Sequence, residues 1–171
     1  MVDHSSESLC KALDNASRRY GVPMPMLKAI IEVESSGNRW AMRFEPGYRW
    51  LWDVSEDAPY RGDPESLPAP RGVSRPTELM AQRTSWGYMQ IMGAVARELG
   101  FDDRFLSGLV DPATNMHYGC KHLASLHRRF YGTHGWEGVV AAYNAGSPRR
   151  RGDKWENQGY VDKVRRHGGF D

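Results

Sequence analysis

Apolar positions along this chain recur mostly at helical spacing. Leu9, Leu13 and Ala16 fall on one face and predict a helix over residues 5–20, which Gly21-Val22-Pro23 ends. A second helix is predicted over 25–36, with Gly37 and Asn38 as its stop signal. The pattern then changes. Residues 45–76 carry Pro46, Pro59, Pro64, Pro68, Pro70 and Pro76, interleaved with Tyr48, Trp50, Trp52 and Tyr60. A loop this long inside one domain is ordinarily functional or disordered. Its aromatic content argues for a structured flap containing a short strand or hairpin. Helical spacing returns over 77–83 and 93–99. The clearest helix follows Asp111-Pro112, an N-cap with proline in the first turn, and its apolar stripe is Met116, Cys120, Leu123, Leu126 and Phe130. Two further helices are predicted, over 135–143 and 159–166, the last within a basic C-terminal helical segment at 154–167. The expectation is a mainly α, single-domain protein over 1–171, with a core at 20–147 and an insertion at 45–76.

Composition narrows the function classes. With 171 residues, 40% hydrophobic and 26% charged, the chain is sized and balanced for one globular domain. A net charge of +2 falls well short of a nucleic-acid binder's footprint. No run approaches the roughly 18 apolar residues of a membrane span, so no stable membrane insertion is expected. The first residues lack the basic and apolar regions of a signal peptide, which predicts synthesis in a cytoplasm and another route to any extracellular target. Two cysteines, Cys10 and Cys120, imply no disulfide framework. His117, His122 and His127 are spaced so that they rotate around a helix, and no His-Glu-x-x-His occurs. They read as surface or groove-rim residues, and neither a metal nor a cofactor is called for. Nothing suggests more than a monomer.

The second helix holds two glutamates that are not equivalent. At about 100° per residue, Glu34 shares a face with Leu27, Ile30 and Ile31, whereas Glu32 points about 160° away, toward solvent. A carboxyl at the rim of an apolar stripe loses hydration, which raises its pKa. It can then stay protonated near neutrality and donate to a leaving oxygen. The plainer alternative is a helix-terminal acid paired with Arg39 or Arg43.

Four segments in register resemble the soluble lytic transglycosylase family. Glu34-Ser35-Ser36-Gly37-Asn38 is similar to the family's Glu-Ser segment. Trp86-Gly87-Tyr88-Met89-Gln90-Ile91-Met92 resembles its Gly-Leu-Met-Gln signature, and Ala141-Ala142-Tyr143-Asn144-Ala145-Gly146 its Ala-Tyr-Asn-Ala-Gly motif. Between them, Asp111-Pro112-Ala113-Thr114-Asn115-Met116 resembles its Asp-Pro-x-x-Asn helix.

The resemblance implies a lysozyme-like (goose-type lysozyme/SLT-like) fold and a peptidoglycan glycan strand as partner. It implies that Glu34 protonates the bridging oxygen between N-acetylmuramic acid and N-acetylglucosamine. The muramic C6 hydroxyl then closes a 1,6-anhydro ring. It further implies that Ser35, Met89, Gln90, Tyr143 and Asn144 bind substrate, with the Tyr143 hydroxyl able to orient Glu34.

One departure from the family layout is the insertion at 45–76. It brings in Glu45, Asp53 and Glu56, and Glu45 is the candidate second carboxylate for a hydrolytic muramidase. The layout is also similar to bacteriophage lysins and virion-associated enzymes, and an inactive glycan-binding virion module is the non-enzymatic alternative. Cys120 lies on the apolar stripe and reads as a buried small hydrophobe.

Overall fold

Helix α1 (His4–Tyr20) and helix α2 (Met24–Ser35) form where the apolar spacing predicts them, in a computed structural model that describes residues 4–170. Helix α2 starts at Pro23-Met24 and ends when Ser36 turns left-handed at φ 50, its N–H donating to the Glu32 carbonyl. Met26, Leu27, Ala29, Ile30 and Ile31 are all buried, which leaves Glu32 exposed and Glu34 half-buried.

The insertion is a built structure. Strand β1 (Met42–Phe44) leads into it, and strands β2 (Leu51–Asp53) and β3 (Ala58–Tyr60) form an antiparallel hairpin. A 3-10 turn at Pro64–Ser66 follows, capped by Asp63, and helix α3 (Arg75–Gln82) closes the excursion. Leu51, Leu67 and Leu79 give this part its own small core. Its attachment is polar. The Gln82 amide receives the Trp52 N–H at 2.8 Å and donates to the Trp52 carbonyl at 2.9 Å and the Glu78 carboxylate at 3.0 Å. Glu78 in turn makes a two-pronged, fully buried ion pair with Arg97, at 2.9 and 3.0 Å. The Arg97 guanidinium also donates to the carbonyls of Phe101, Asp103 and Arg104. A buried charge pair is tolerable only when its remaining hydrogen-bonding sites are filled, and here they are.

Strands β4 (Thr84–Trp86) and β5 (Ile91–Met92) complete a three-stranded antiparallel sheet in the order β1-β4-β5. Opposed residues share a face, so Arg43, Ser85 and Met92 project on one side and Met42, Trp86 and Ile91 on the other. Trp86 and Ile91 pack with Ala96 of helix α4 (Gly93–Glu98), Phe101, Leu106 and Leu109.

Helix α5 (Pro112–Ala145) is the central element. The Asp111 carboxylate accepts the Thr114 N–H at 2.9 Å, as the cap pattern predicts. The two helices expected over this stretch are one element broken at Gly135, whose φ of 60 and ψ of −166 only glycine adopts readily. Strands β6 (Arg150–Arg151) and β7 (Lys154–Trp155) form a hairpin, so the last helix, α6 (Gln158–Arg166), begins four residues later than the basic segment suggests. The main core draws on both ends of the chain: Ala12, Leu13 and Ala16 of α1 and Val161 and Val164 of α6 pack with α2 and α5. Cys120 is fully buried there, its thiol pushed up to about 12 by burial, and both cysteines are free. Among the described residues no helix is long and apolar enough to cross a membrane, and no group of His, Cys, Asp and Glu side chains could hold a metal ion.

Candidate active site

The site is built around one tight turn, residues 87–90. Gly87 sits at φ 68, and a Cβ there would lie 2.4 Å from the Asn115 amide nitrogen, so both conformation and space require glycine. Gln90 also has positive φ, at 46, a strained state for a residue with a side chain. Its own amide compensates, donating to the carbonyls of Gly87 and Ala41 at 2.9 Å each and accepting from the Ser85 hydroxyl at 2.8 Å.

Every other motif segment bonds to this turn. Fully buried Asn115 accepts the Met89 N–H at 2.8 Å and donates to the carbonyls of Trp86 and Leu109 at 2.9 and 2.7 Å. The Ser35 hydroxyl lies 2.8 Å from the Tyr88 carbonyl, and the Tyr143 hydroxyl donates to the Met89 carbonyl at 2.7 Å. Helix α2, the sheet and both ends of α5 are therefore fixed to one another through four residues of backbone.

Glu34 occupies the penultimate position of α2, where this assembly holds it. Burial raises its pKa above the ordinary glutamate value, and a hydrogen bond from Tyr160 and the positive charge of Arg43 only partly offset that rise. The Tyr160 hydroxyl donates to Oε1 at 2.6 Å, while Oε2 has no hydrogen-bond partner among the described residues. Both tyrosines near Glu34 have hydroxyls raised well above the usual range, by burial first and the Glu34 charge second.

These positions correct three expectations. The residue that orients Glu34 is Tyr160, because the Tyr143 hydroxyl is engaged by the turn. Met89 does not line the groove: it is 0% exposed, and its side chain packs on Gly119 in the core. Ser35 spends its hydroxyl on backbone carbonyls, those of Tyr88 and Ile31. Sequence reasoning misses Tyr160 because the basic residues of α6 dominate its pattern. The signal that could have found it is a tyrosine beside Val161 and one turn before Val164, on the helix's apolar face.

A cleft of about 690 Å³ is lined by residues of the flap, β5, α4 and α5. Its walls are the flap (Tyr48, Trp50), the end of β5 and α4 (Met92, Val95, Glu98), and α5 (His122, Leu126, Arg129). Gln90, Tyr143 and Asn144 line it. Glu34 is not itself a lining residue, but Tyr143 connects the two, lying within the reach of its charge. A second depression, about 400 Å³ between α1 and the start of α5, holds neither Glu34 nor any residue of the turn.

Two carboxylates of the insertion are engaged by neighbours. Glu45 is ion-paired with Arg43 at 2.5 Å. Asp53 accepts from the Ser55 hydroxyl and the Ser55 and Glu56 amides, and these bonds outweigh its burial and lower its pKa.

The transglycosylase SLT domain matches residues 63–164, more than half of the chain, spanning the turn, the Asp-capped helix, the Tyr143 segment and Tyr160. The chain belongs to this family. Its mainly helical architecture is the lysozyme-like one the family implies, and membership places it in the lytic transglycosylase class of enzymes acting on peptidoglycan. The match begins after α2, so the case for Glu34 rests on geometry and on the Glu-Ser resemblance. No curated protein and no solved structure gives a significant match.

Proposed function

We propose that the protein cleaves the β-1,4 bond between N-acetylmuramic acid and N-acetylglucosamine by lytic transglycosylation, with Glu34 as its single acid/base. The observation that carries this reading is a desolvated carboxyl whose charge reaches Tyr143 in the cleft wall, with Oε1 held by Tyr160 and Oε2 without a hydrogen-bond partner among the described residues. Burial keeps the acid protonated to higher pH than a surface glutamate. Its proton passes to the bridging oxygen as that bond to the muramic C1 breaks, and the electron pair leaves with the oxygen. The muramic C6 hydroxyl then bonds to C1, and its proton returns to the Glu34 carboxylate. The substrate's acetamido group assists at C1, which lets one carboxylate serve where glycosidases ordinarily use two.

The engagement of Glu45 by Arg43, and of Asp53 by its own turn, disfavours these two as water-activating bases. Mass spectrometry of products released from purified peptidoglycan tests it. Anhydro-muramic ends are expected, and Glu34→Gln should abolish release while keeping the fold. Reducing muramic ends would instead establish a hydrolytic muramidase with Glu45 as the base to examine. Release of nothing from several wall types would favour an inactive glycan-binding module.

A further inference from the structure

We propose that His122 and Trp50 form a subsite for an uncharged N-acetylated sugar ring within the cleft, which rests on reading that cleft as a glycan groove. The polar interior is otherwise closed. Asn115, Gln82, Glu78 and Arg97 are all bonded, and among the described residues no buried side-chain nitrogen or oxygen lacks a partner. His122 stands apart. Its ring lies against Tyr143, centroids 5.5 Å apart, yet neither ring nitrogen has a hydrogen bond among the described residues. By contrast, His117 on the same helix is bonded to the Tyr20 hydroxyl at 2.7 Å. Because no fully buried nitrogen goes unpaired among the described residues, the His122 nitrogens are accessible, and the residue lines the cleft.

The chemistry of that opening is specific. Burial, with the charge of Arg129, pushes the imidazole down to about 4, so at neutral pH it offers one donor and one acceptor and no charge. An amide or a hydroxyl matches such a pair, whereas a carboxylate in the same cleft would find Arg129 or Arg149.

Trp50 supplies the second contact. Its indole is 66% exposed and lines the same cleft. The backbone on either side is anchored: Leu51 is buried, Gln82 clamps Trp52, and Arg83 Nε donates to the Tyr48 carbonyl at 2.9 Å. Arg49 lies over the indole at 4.9 Å from its centroid and Tyr48 meets it edge-on at 5.6 Å, and the indole surface left exposed suits the C–H face of a pyranose whose acetamido or hydroxyl groups turn into the cleft that His122 lines. An exposed Trp alone would be unremarkable. Its pairing with an unsatisfied neutral histidine in one cleft gives it meaning.

Calorimetric titration with a β-1,4-linked N-acetylglucosamine tetrasaccharide tests the subsite, in a Glu34→Gln background so that binding does not depend on cleavage. Trp50→Ala and His122→Phe should each weaken binding about tenfold, the loss of one ring contact or one good hydrogen bond. His122→Gln, which keeps a donor and an acceptor, should stay within about threefold of the parent. His122→Leu replaces His122→Phe if thermal melts show the latter misfolded. The proposal is overturned if the tetrasaccharide does not bind, if either disruptive variant stays within about twofold, or if His122→Gln loses as much as His122→Phe. Failure of the cleavage reading is seen separately, as wild-type protein releasing nothing from peptidoglycan whatever the titration gives.

Discussion

Asn115→Ala should be among the most damaging single substitutions in this protein, although Asn115 touches neither Glu34 nor the cleft. The side chain is 0% exposed and makes three hydrogen bonds, all to backbone: the Met89 N–H and the carbonyls of Trp86 and Leu109. Truncation removes the partner of all three at once. Each buried group left unpaired costs about 1–3 kcal/mol. Water entering the small space left behind would satisfy part of the set. The lower end of the range, about 3 kcal/mol in all, is therefore the expected loss. That is a large fraction of the stability of an ordinary domain.

Urea unfolding followed by circular dichroism gives the number. Asn115→Asp separates the two available causes. It preserves volume and the acceptor for Met89, but it faces two carbonyls with a charge and no donors. If lost packing were the cause, Asp would be nearly harmless. If the two donated bonds matter, Asp should destabilise at least as much as Ala at neutral pH. A loss under about 1 kcal/mol for Ala, or a benign Asp, would refute the reasoning.

Three further outcomes follow from the same structure. Glu34 has a raised pKa in the folded chain, so its contribution to stability is full below the ordinary value of 4.5 and lost as pH rises through the folded value. Glu34→Gln should therefore be more stable than wild type at neutral pH, and thermal melts should show that gain disappear in acid. Tyr160→Phe removes the bond that favours ionised Glu34, so the alkaline limb of the pH–rate profile should move to higher pH, while Tyr143→Phe should leave that limb nearer its place. Glu78→Ala strands the buried Arg97 charge and should cost about 3–5 kcal/mol in denaturant unfolding, with the flap hairpin showing the earliest loss of hydrogen-exchange protection.

Features that depend on local spacing are legible in the sequence. The apolar stripe of α2 separates Glu34 from Glu32 by periodicity alone, because burial on a helix follows from its period. Asp111-Pro112 locates the start of α5, because cap and first turn are set within four residues. The hairpin in the insertion follows from aromatic residues among turn formers. Partners set by tertiary geometry are not legible. Tyr143 and Tyr160 both lie near Glu34, and choosing between their hydroxyls requires knowing that the Met89 carbonyl has already taken the first. Met89 has the sequence context of a groove residue because its motif neighbours are polar, yet the turn sends it into Gly119 and the core. Glu45 and Asp53 read as available because nothing in the spacing shows that Arg43 and Ser55 are held close to them.

The four motif segments share a reason for existing that is not chiefly chemical. Of the groups they contribute, only the Glu34 carboxyl is proposed to transfer a proton. Ser35, Asn115, Tyr143 and the Gln90 amide spend most of their hydrogen bonds on the backbone of residues 41 and 86–90. A proton donor must be held to within a fraction of an ångström to be effective, and the end of a helix beside an open cleft is a poor place to find that rigidity. Here the rigidity comes from a turn that could not form without glycine at 87, would not persist at Gln90 without its own amide, and is bonded to α2, the sheet and both ends of α5. The motifs thus mark a clamp more than a constellation of reacting groups, which explains how family membership can be recognised over residues 63–164, a span that leaves out Glu34 itself.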